Sequence, residues 1–344
     1  MDNLSDRQKL ILGLVVREYT RSAMPVSSQS LVDTYRLEMS SATIRNELAA
    51  LTDYGYLRQP HTSAGRIPTE EGFRYFVGHM LNENDLPDTT QRTISYQFHQ
   101  MEQDVDQWMR LAASVLAHQS HAASVVTAPH PEISRLKHLE LISTRGHQVL
   151  MVLVLVGGEI HQRIFTINEL MSQDALSSIA NRLSNQFGGK DARMIDEQKA
   201  QLPPLEQDLI IQVVEEMRRA DRLVAGELFM DGVTNVLSEP EFAGTEDARR
   251  ALRLLEERTL LNEMLSHPLA KNNLGGVHVL IGGEGIWNEL RQFSFVMARY
   301  GMPGMAMGTL GVLGPMRMPY GRTISTVRYL SGLLSELVTE TLVE

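Results

Sequence analysis

A chain of 344 residues, 43% of them hydrophobic, is long enough for two or three domains that each bury a core. It has no cysteine, which excludes disulfides, thiolate catalysis and cysteine metal sites, and no run of eighteen apolar residues of the kind that spans a bilayer. The net charge is −10, yet residues 1–80 hold nine Lys and Arg against nine Asp and Glu, so the whole negative excess lies beyond them. Nucleic-acid binding by the N-terminal part is therefore allowed, but not through bulk positive charge. The first residues, MDNLSDRQK, lack the apolar core of a signal peptide, so the cytoplasm is the expected location.

In chain order, Ser5 is placed to cap a first helix in which Leu10, Ile11, Leu14 and Val15 recur at helical spacing. Met24 precedes a proline and is expected to be extended; Ser27 or Ser28 then starts a second helix. Ser40 or Ser41 caps a third, ending near Gly55. At 100° per residue, Ile44, Leu48 and Leu51 share one stripe of that helix, while Ala42, Asn46 and Ala49 lie opposite, flanked by Thr43 and Arg45. Tyr56 to Thr69 reads as strand, turn and strand, with His61, Thr62, Ser63, Ala64 and Gly65 at the tip.

Three helices followed by a two-stranded hairpin make a winged helix-turn-helix, and the outward face of the third helix suits a major groove. Small residues allow close approach, Asn46 can pair with adenine and Arg45 with guanine, and the Thr43 methyl can pack on thymine. Ser40 and Ser41 offer hydroxyls and helix N-terminal amides to phosphate. Arg58, His61, Thr62, Ser63 and Arg66 of the ribbon complete the candidate DNA-binding set. The competing reading is an ordinary solvated helix and loop.

Asn82 to Asp88 is polar, acidic and closed by proline, as expected of a linker. One long helical pattern is predicted from Thr89 to His121, stepping through Ile94, Phe98, Met101, Val105, Trp108, Leu111 and Val115. Between Leu136 and Asn168 the period changes to that of a three-strand meander, followed by helices over 172–187 and 204–223. Further on come strands at ELFMDG, VHVLIGG, FSFVMARYG and GTLGVLGP, a helix around 246–266 and a final helix over 323–341. With ASVVTAP near residue 125, these predict an antiparallel α+β domain interrupted by the meander. His118 and His121 lie three apart but lack the HExxH context of a metal site, and Gly282-Gly283-Glu284-Gly285 lacks the spacing of a phosphate loop. No GxSxG is present, and neither catalytic, cofactor nor metal residues are expected.

The run SSATIRNELAALTDYGYLRQPHTSAGRIPTEEGFRYFV strongly resembles the HrcA family of heat-inducible transcriptional repressors, and Gly308 to Tyr320, GTLGVLGPMRMPY, resembles that family's C-terminal signature. Pro25-Val26-Ser27-Ser28 and Ile281-Gly282-Gly283-Glu284 also fit. The resemblance implies an α+β multidomain chain: a winged helix-turn-helix over 1–85, a discontinuous GAF-like domain over 89–132 and 223–344, and a small inserted α/β domain over 133–222. It further implies a homodimer that binds double-stranded operator DNA at the CIRCE inverted repeat before chaperone operons, is released on heat stress, and depends on the GroE chaperonin. It implies no enzymatic activity and no membrane association. The alternative function is a metabolite-sensing winged-helix repressor that uses a GAF-like pocket. The operator sequence, the dimer-interface residues and the role of Arg317 are not readable at this level.

Overall fold

The computed structural model describes residues 4–61, 64–81, 85–101, 104–130, 133–167, 170–222, 227–242, 276–282, 290–303 and 305–343, with scattered positions between 244 and 265. Most of the helix expected around 246–266, the acidic linker residues 82–84 and positions 283–289 lie outside them. Helix α1 (Asp6–Ser22) opens on a capping box: Ser5 Oγ accepts from the Gln8 amide while Gln8 Oε1 accepts from the Ser5 amide. Its inward stripe is Ile11, Leu12, Leu14, Val15 and Val16; Leu10, expected in that stripe, is 48% exposed. Helix α2 (Ser28–Tyr35) is capped by Ser27 and α3 (Ser41–Asp53) by Ser40. A ribbon of two-residue strands, β1 (Leu57–Arg58) and β2 (Ile67–Pro68), leads into α4 (Glu70–His79).

Residues 89–121 are not one helix. Helix α5 (Asp88–His99) stops, and Asp104 starts α6 (Val105–Ser120) by accepting from the Asp106 and Gln107 amides. Both halves keep the same apolar phase, so periodicity alone hid the break; the cap at Asp104 was its signal.

The chain folds into two compact units, residues 1–127, 228–300 and 309–344 in the first, and 128–227 with 301–308 in the second. In the first, β3 (Ala123–Thr127), β7 (Leu228–Asp231), β8 (Val277–Ile281), β9 (Phe293–Met302) and β10 (Ala306–Pro315) join a sheet of order β7-β3-β10-β9-β8. Helix α6 and the last helix, α11 (Tyr320–Val343), pack together, and both α6 and the short α10 (Val233–Leu237) lie on β3. Tyr300 is fully buried there, and its hydroxyl donates to the Thr127 carbonyl.

In the second unit, β4 (Leu136–Ser143), β5 (Gln148–Leu155) and β6 (Ile160–Thr166) form an antiparallel meander of order β4-β5-β6. Alternation decides its two faces. Leu139, Leu141, Val149, Met151 and Leu153 point into a core closed by α7 (Gln173–Phe187), α8 (Ala192–Gln198) and α9 (Pro204–Arg222). Helix α8 has no counterpart in the sequence reading, its seven residues being too few to show a period. On the other face, Ile142, Leu150 and Ile164 form one cross-strand row, and Val154 and Ile160 pair in another; Ile160 and Ile164 are each about 60% exposed. Among the described residues the architecture is mixed α+β, and no sheet closes into a barrel.

Leu153 is fully buried in the meander core. Leu153→Ala is expected to destabilise the second unit by about 2–5 kcal/mol through lost burial and a residual cavity, measured by urea denaturation; a shift below about 1 kcal/mol would contradict this packing.

Candidate nucleic-acid interface

Helix α3 turns Ile44, Leu48 and Leu51 inward, all buried, and leaves Ala42, Arg45, Asn46 and Ala49 exposed. Its start is fixed by Ser40, whose Oγ accepts from the Thr43 amide at 3.1 Å and lies 2.9 Å from Thr43 Oγ1. Thr43 is half-buried and already engaged by that contact, while Ser41 sits half-buried in the first turn. The Ser41 and Ala42 amides stand at the open, partially positive end of the helix, where an anion is favoured. Arg7 reaches from α1 to Glu47 at 3.4 Å, so the carboxylate that follows Asn46 in α3 is paired with a cation.

The ribbon is fixed beside α3 by backbone contacts. Val26 and Arg66 exchange two hydrogen bonds, Val26 N to Arg66 O at 2.9 Å and Arg66 N to Val26 O at 2.8 Å, so the extended residues before α2 add a third rung. Gly65 makes this possible, since a Cβ there would stand 2.4 Å from the Val26 carbonyl oxygen. Thr69 Oγ1 donates to the Gly55 carbonyl at 2.6 Å and the Thr69 amide to Tyr56 O, closing the base of the ribbon. At the tip, the exposed His61 accepts the Ala64 amide through its carbonyl at 2.9 Å; Thr62 and Ser63 lie outside the described residues.

The two ribbon arginines do not act as a pair. Arg58 stands opposite Ile67 in the register, and Arg66, the neighbour of Ile67, must point to the other face. Arg66 is half-buried, and its Nε donates to Thr52 Oγ1 at 3.0 Å, which ties the ribbon to the C-terminal turn of α3. Arg58 instead lines a cleft of about 720 Å³ with Tyr19, Phe73, Arg74, Glu241, Arg291 and Arg317. Burial raises the Tyr19 hydroxyl above its usual range, and Glu241 across the same cleft adds to it against Arg317 and Arg58. Ser40, Ser41, Thr43, Arg45 and Asn46 thus lie on or at the start of α3, Arg66 is tied to its last turn, His61 stands at the ribbon tip, and Arg58 lies on the ribbon face opposite Arg66.

Sequence reasoning did not find Thr52, Val26 and Gly65, which hold the ribbon in place. The signal for Val26 was its position after a proline in an extended dipeptide; nothing in the spacing marked Thr52. Among the described residues no three carboxylates or histidines converge as a metal site needs, and no helix is long and apolar enough to cross a membrane.

A family model described as the HrcA protein C terminal domain matches residues 106–324. The chain is 42% identical over 346 residues to the heat-inducible transcription repressor HrcA of Roseiflexus castenholzii, covering 98% of this chain and 95% of that one. It is 39% identical over 355 residues to the repressor of the same name from Chloroflexus aurantiacus, covering 98% and 94%. Among solved structures, a crystal structure of a protein described only as hypothetical is 23% identical, covers 98% of each chain and superposes with a TM-score of 0.58, which supports the fold alone.

Gly65→Ala is expected to lower stability by more than about 1 kcal/mol in urea denaturation, because the added carbon forces the Val26–Arg66 rung apart. Unchanged stability would mean that the ribbon is not pinned there.

Proposed function

The chain belongs to the HrcA family of heat-inducible transcription repressors, and from this premise we propose that α3 and the ribbon are its operator-reading head, a winged helix-turn-helix. The protein is a transcriptional repressor of heat-shock genes and not an enzyme. The single observation that carries the proposed head is the outward face of α3, where Arg45 and Asn46 stand between Ala42 and Ala49. A helix backbone flanked by two alanines can enter a major groove closely enough for Arg45 and Asn46 to make bidentate contacts with base edges. Ser40, Ser41 and the first amides of α3 would take a phosphate; His61, Thr62 and Ser63 would follow the backbone from the ribbon tip. Arg66 serves mainly by fixing the ribbon, with its remaining N–H groups turned to phosphate. Arg58, facing the cleft, is assigned no DNA contact.

The proposal extends to the domain plan: the reading head over 1–85, a GAF-like body over 89–132 and 223–344, and an inserted domain over 133–222. One head, residues 1–85, reads only a few base pairs and carries a net charge of −2, so affinity for the CIRCE inverted repeat is assigned to a homodimer holding two heads on two half-sites. The open apolar face of the meander, with Ile142, Leu150, Val154, Ile160 and Ile164, supports dimerisation through the second unit. Release on heat stress, dependence on the GroE chaperonin and a cytoplasmic location rest on the family resemblance.

Replacing Arg45 or Asn46 by Ala is expected to cost about 1–3 kcal/mol of operator affinity each and to relax specificity at one or two base pairs, read by gel shift across a set of operator variants. Full affinity in both, with the fold intact, would remove α3 from the groove. Ile164→Asp, in turn, is expected to shift the protein towards monomer in sedimentation and to weaken palindrome binding at least tenfold; a dimer unaffected by it must use another surface.

A further inference from the structure

Arg317, in the Gly-Pro-Met-Arg-Met-Pro-Tyr segment between β10 and α11, spends its whole guanidinium on contacts distant in sequence. Nε and Nη2 hold the two carboxylate oxygens of Glu241, Nη2 also meets Glu239, and Nη1 donates to the Thr20 carbonyl at 3.2 Å. The side chain is only 11% exposed. Its root is fixed on both sides: the Met316 amide donates to the Gln292 carbonyl, and the buried Tyr320 hydroxyl donates to the Met316 carbonyl at 2.7 Å and accepts from Ser294 at 2.6 Å. Thr20 belongs to the last turn of α1, where carbonyls lack intrahelical partners and the helix end is partially negative. A cation placed there satisfies an orphan acceptor and pairs with two neighbouring carboxylates, leaving the cluster with one net negative charge.

The consequence runs through α1 into α3. The two helices pack together, so the direction of α1 sets that of α3. A second tie acts in parallel at α4, where Arg74 pairs with Glu70 and Glu71 and donates Nη2 to the Ile281 carbonyl at 3.0 Å. Gly282 beside it has φ +66°, and a Cβ there would collide with the Glu70 carboxyl, so α4 lies directly against the end of β8. Phe73 of α4 completes the contact between Tyr19 and Tyr320, with ring centroids 6.3 and 6.1 Å away.

We propose that Arg317 is a positioning residue for operator binding: it touches no base, but by clamping the end of α1 to Glu239 and Glu241 it sets the angle at which α3 is presented, and so the half-site spacing that a dimer accepts. The claim rests on the operator-reading head proposed above. Only an arginine satisfies this geometry, because three nitrogens of one plane must reach two carboxylates and a carbonyl together; a lysine keeps the charge but offers a single point. In a two-headed reader, a head that rocks loses the effective concentration of its second contact while keeping its own base contacts.

The test uses the full-length protein with Arg317→Lys, and with the triple change Arg317→Met, Glu239→Gln and Glu241→Gln, which leaves no uncompensated charge should the single variant fold poorly. Binding is measured to the inverted repeat, to versions with the spacer changed by one or two base pairs, and to an isolated half-site. Both variants are expected to bind the half-site within about twofold of the parent, to lose at least tenfold on the native spacing, and to discriminate less among spacers. Because the chain has no cysteine, Gln29→Cys on α2 and Ser114→Cys on α6 allow two spin labels, whose distance distribution is expected to broaden in the variants. Equal losses on half-site and palindrome with an unchanged distance distribution would reduce Arg317 to a fold-stabilising role. Unchanged or tighter palindrome binding would also overturn the proposal, the second result marking the clamp as inhibitory. A parent protein that ignores the inverted repeat would instead overturn the operator-reading head, and this inference with it.

Discussion

The apolar contact between α1 and α3 decides what α3 shows to the outside. Ile44, Leu48 and Leu51 are buried with Ile11, Leu12, Val15 and Val16 in the same unit, and a helix has no freedom to bury that stripe without exposing the opposite one. A rotation of α3 by one residue, 100°, would bring a polar side chain into the core and cost the burial of a Leu or Ile, on the order of 2 kcal/mol. Arg45 and Asn46 are therefore held outward by hydrophobic packing on the far side of the helix rather than by any contact of their own. The ribbon inherits the same frame: Val26 comes from the chain entering α2, and Thr52 from the last turn of α3, so both of its anchors are placed by the helices they belong to.

Charge makes this orientation matter more than it does in a basic DNA-binding protein. A cationic head gains affinity from any duplex in nearly any pose through counterion release, whereas residues 1–80 carry nine charges of each sign and gain little of that sequence-independent term. For the reading head and homodimer proposed above, what remains is geometric: a few base-edge contacts, a phosphate at the start of α3, and the simultaneous placement of two heads. Geometric affinity is sensitive to angle. On the proposal above, that sensitivity is how Arg317, which lies between β10 and α11 and not on α3, bears on operator binding.

How much of this could be read in the sequence follows from the range of each signal. The inward stripe of α3, the cap Ser5, the caps Ser27 and Ser40 to within one residue, and the meander strands all depend on near neighbours, and all were legible to that extent. The break at 100–104 was not, because α5 and α6 share one apolar phase. Arg58 and Arg66 were grouped because both sit in one ribbon; strands of two residues show no alternation, so the face each occupies appears only in the register. The partners of Arg317 lie 76, 78 and 297 residues away, and no local pattern reports a contact of that range. The signature motif marked the segment as special without saying what it holds.

The clamp also bears on how heat could silence such a repressor. Desolvating charged groups becomes less costly as temperature rises, so a half-buried Arg–Glu cluster holds or gains strength on warming, while apolar burial plateaus. The contacts beside the clamp are of the second kind: Met318 is buried in a pocket wall shared with Val16, Phe76 and Met80, all apolar side chains that form no hydrogen bonds. On warming, α1 and α4 would loosen first along this apolar seam while Arg317 kept its hold on Thr20. The head would then pivot about a retained ionic point rather than detach. Under the two-headed reading proposed above, Arg317 fixes one point of α1 and the apolar seam with α4 fixes another, so a seam that loosens frees the angle of α3 although the ionic point holds.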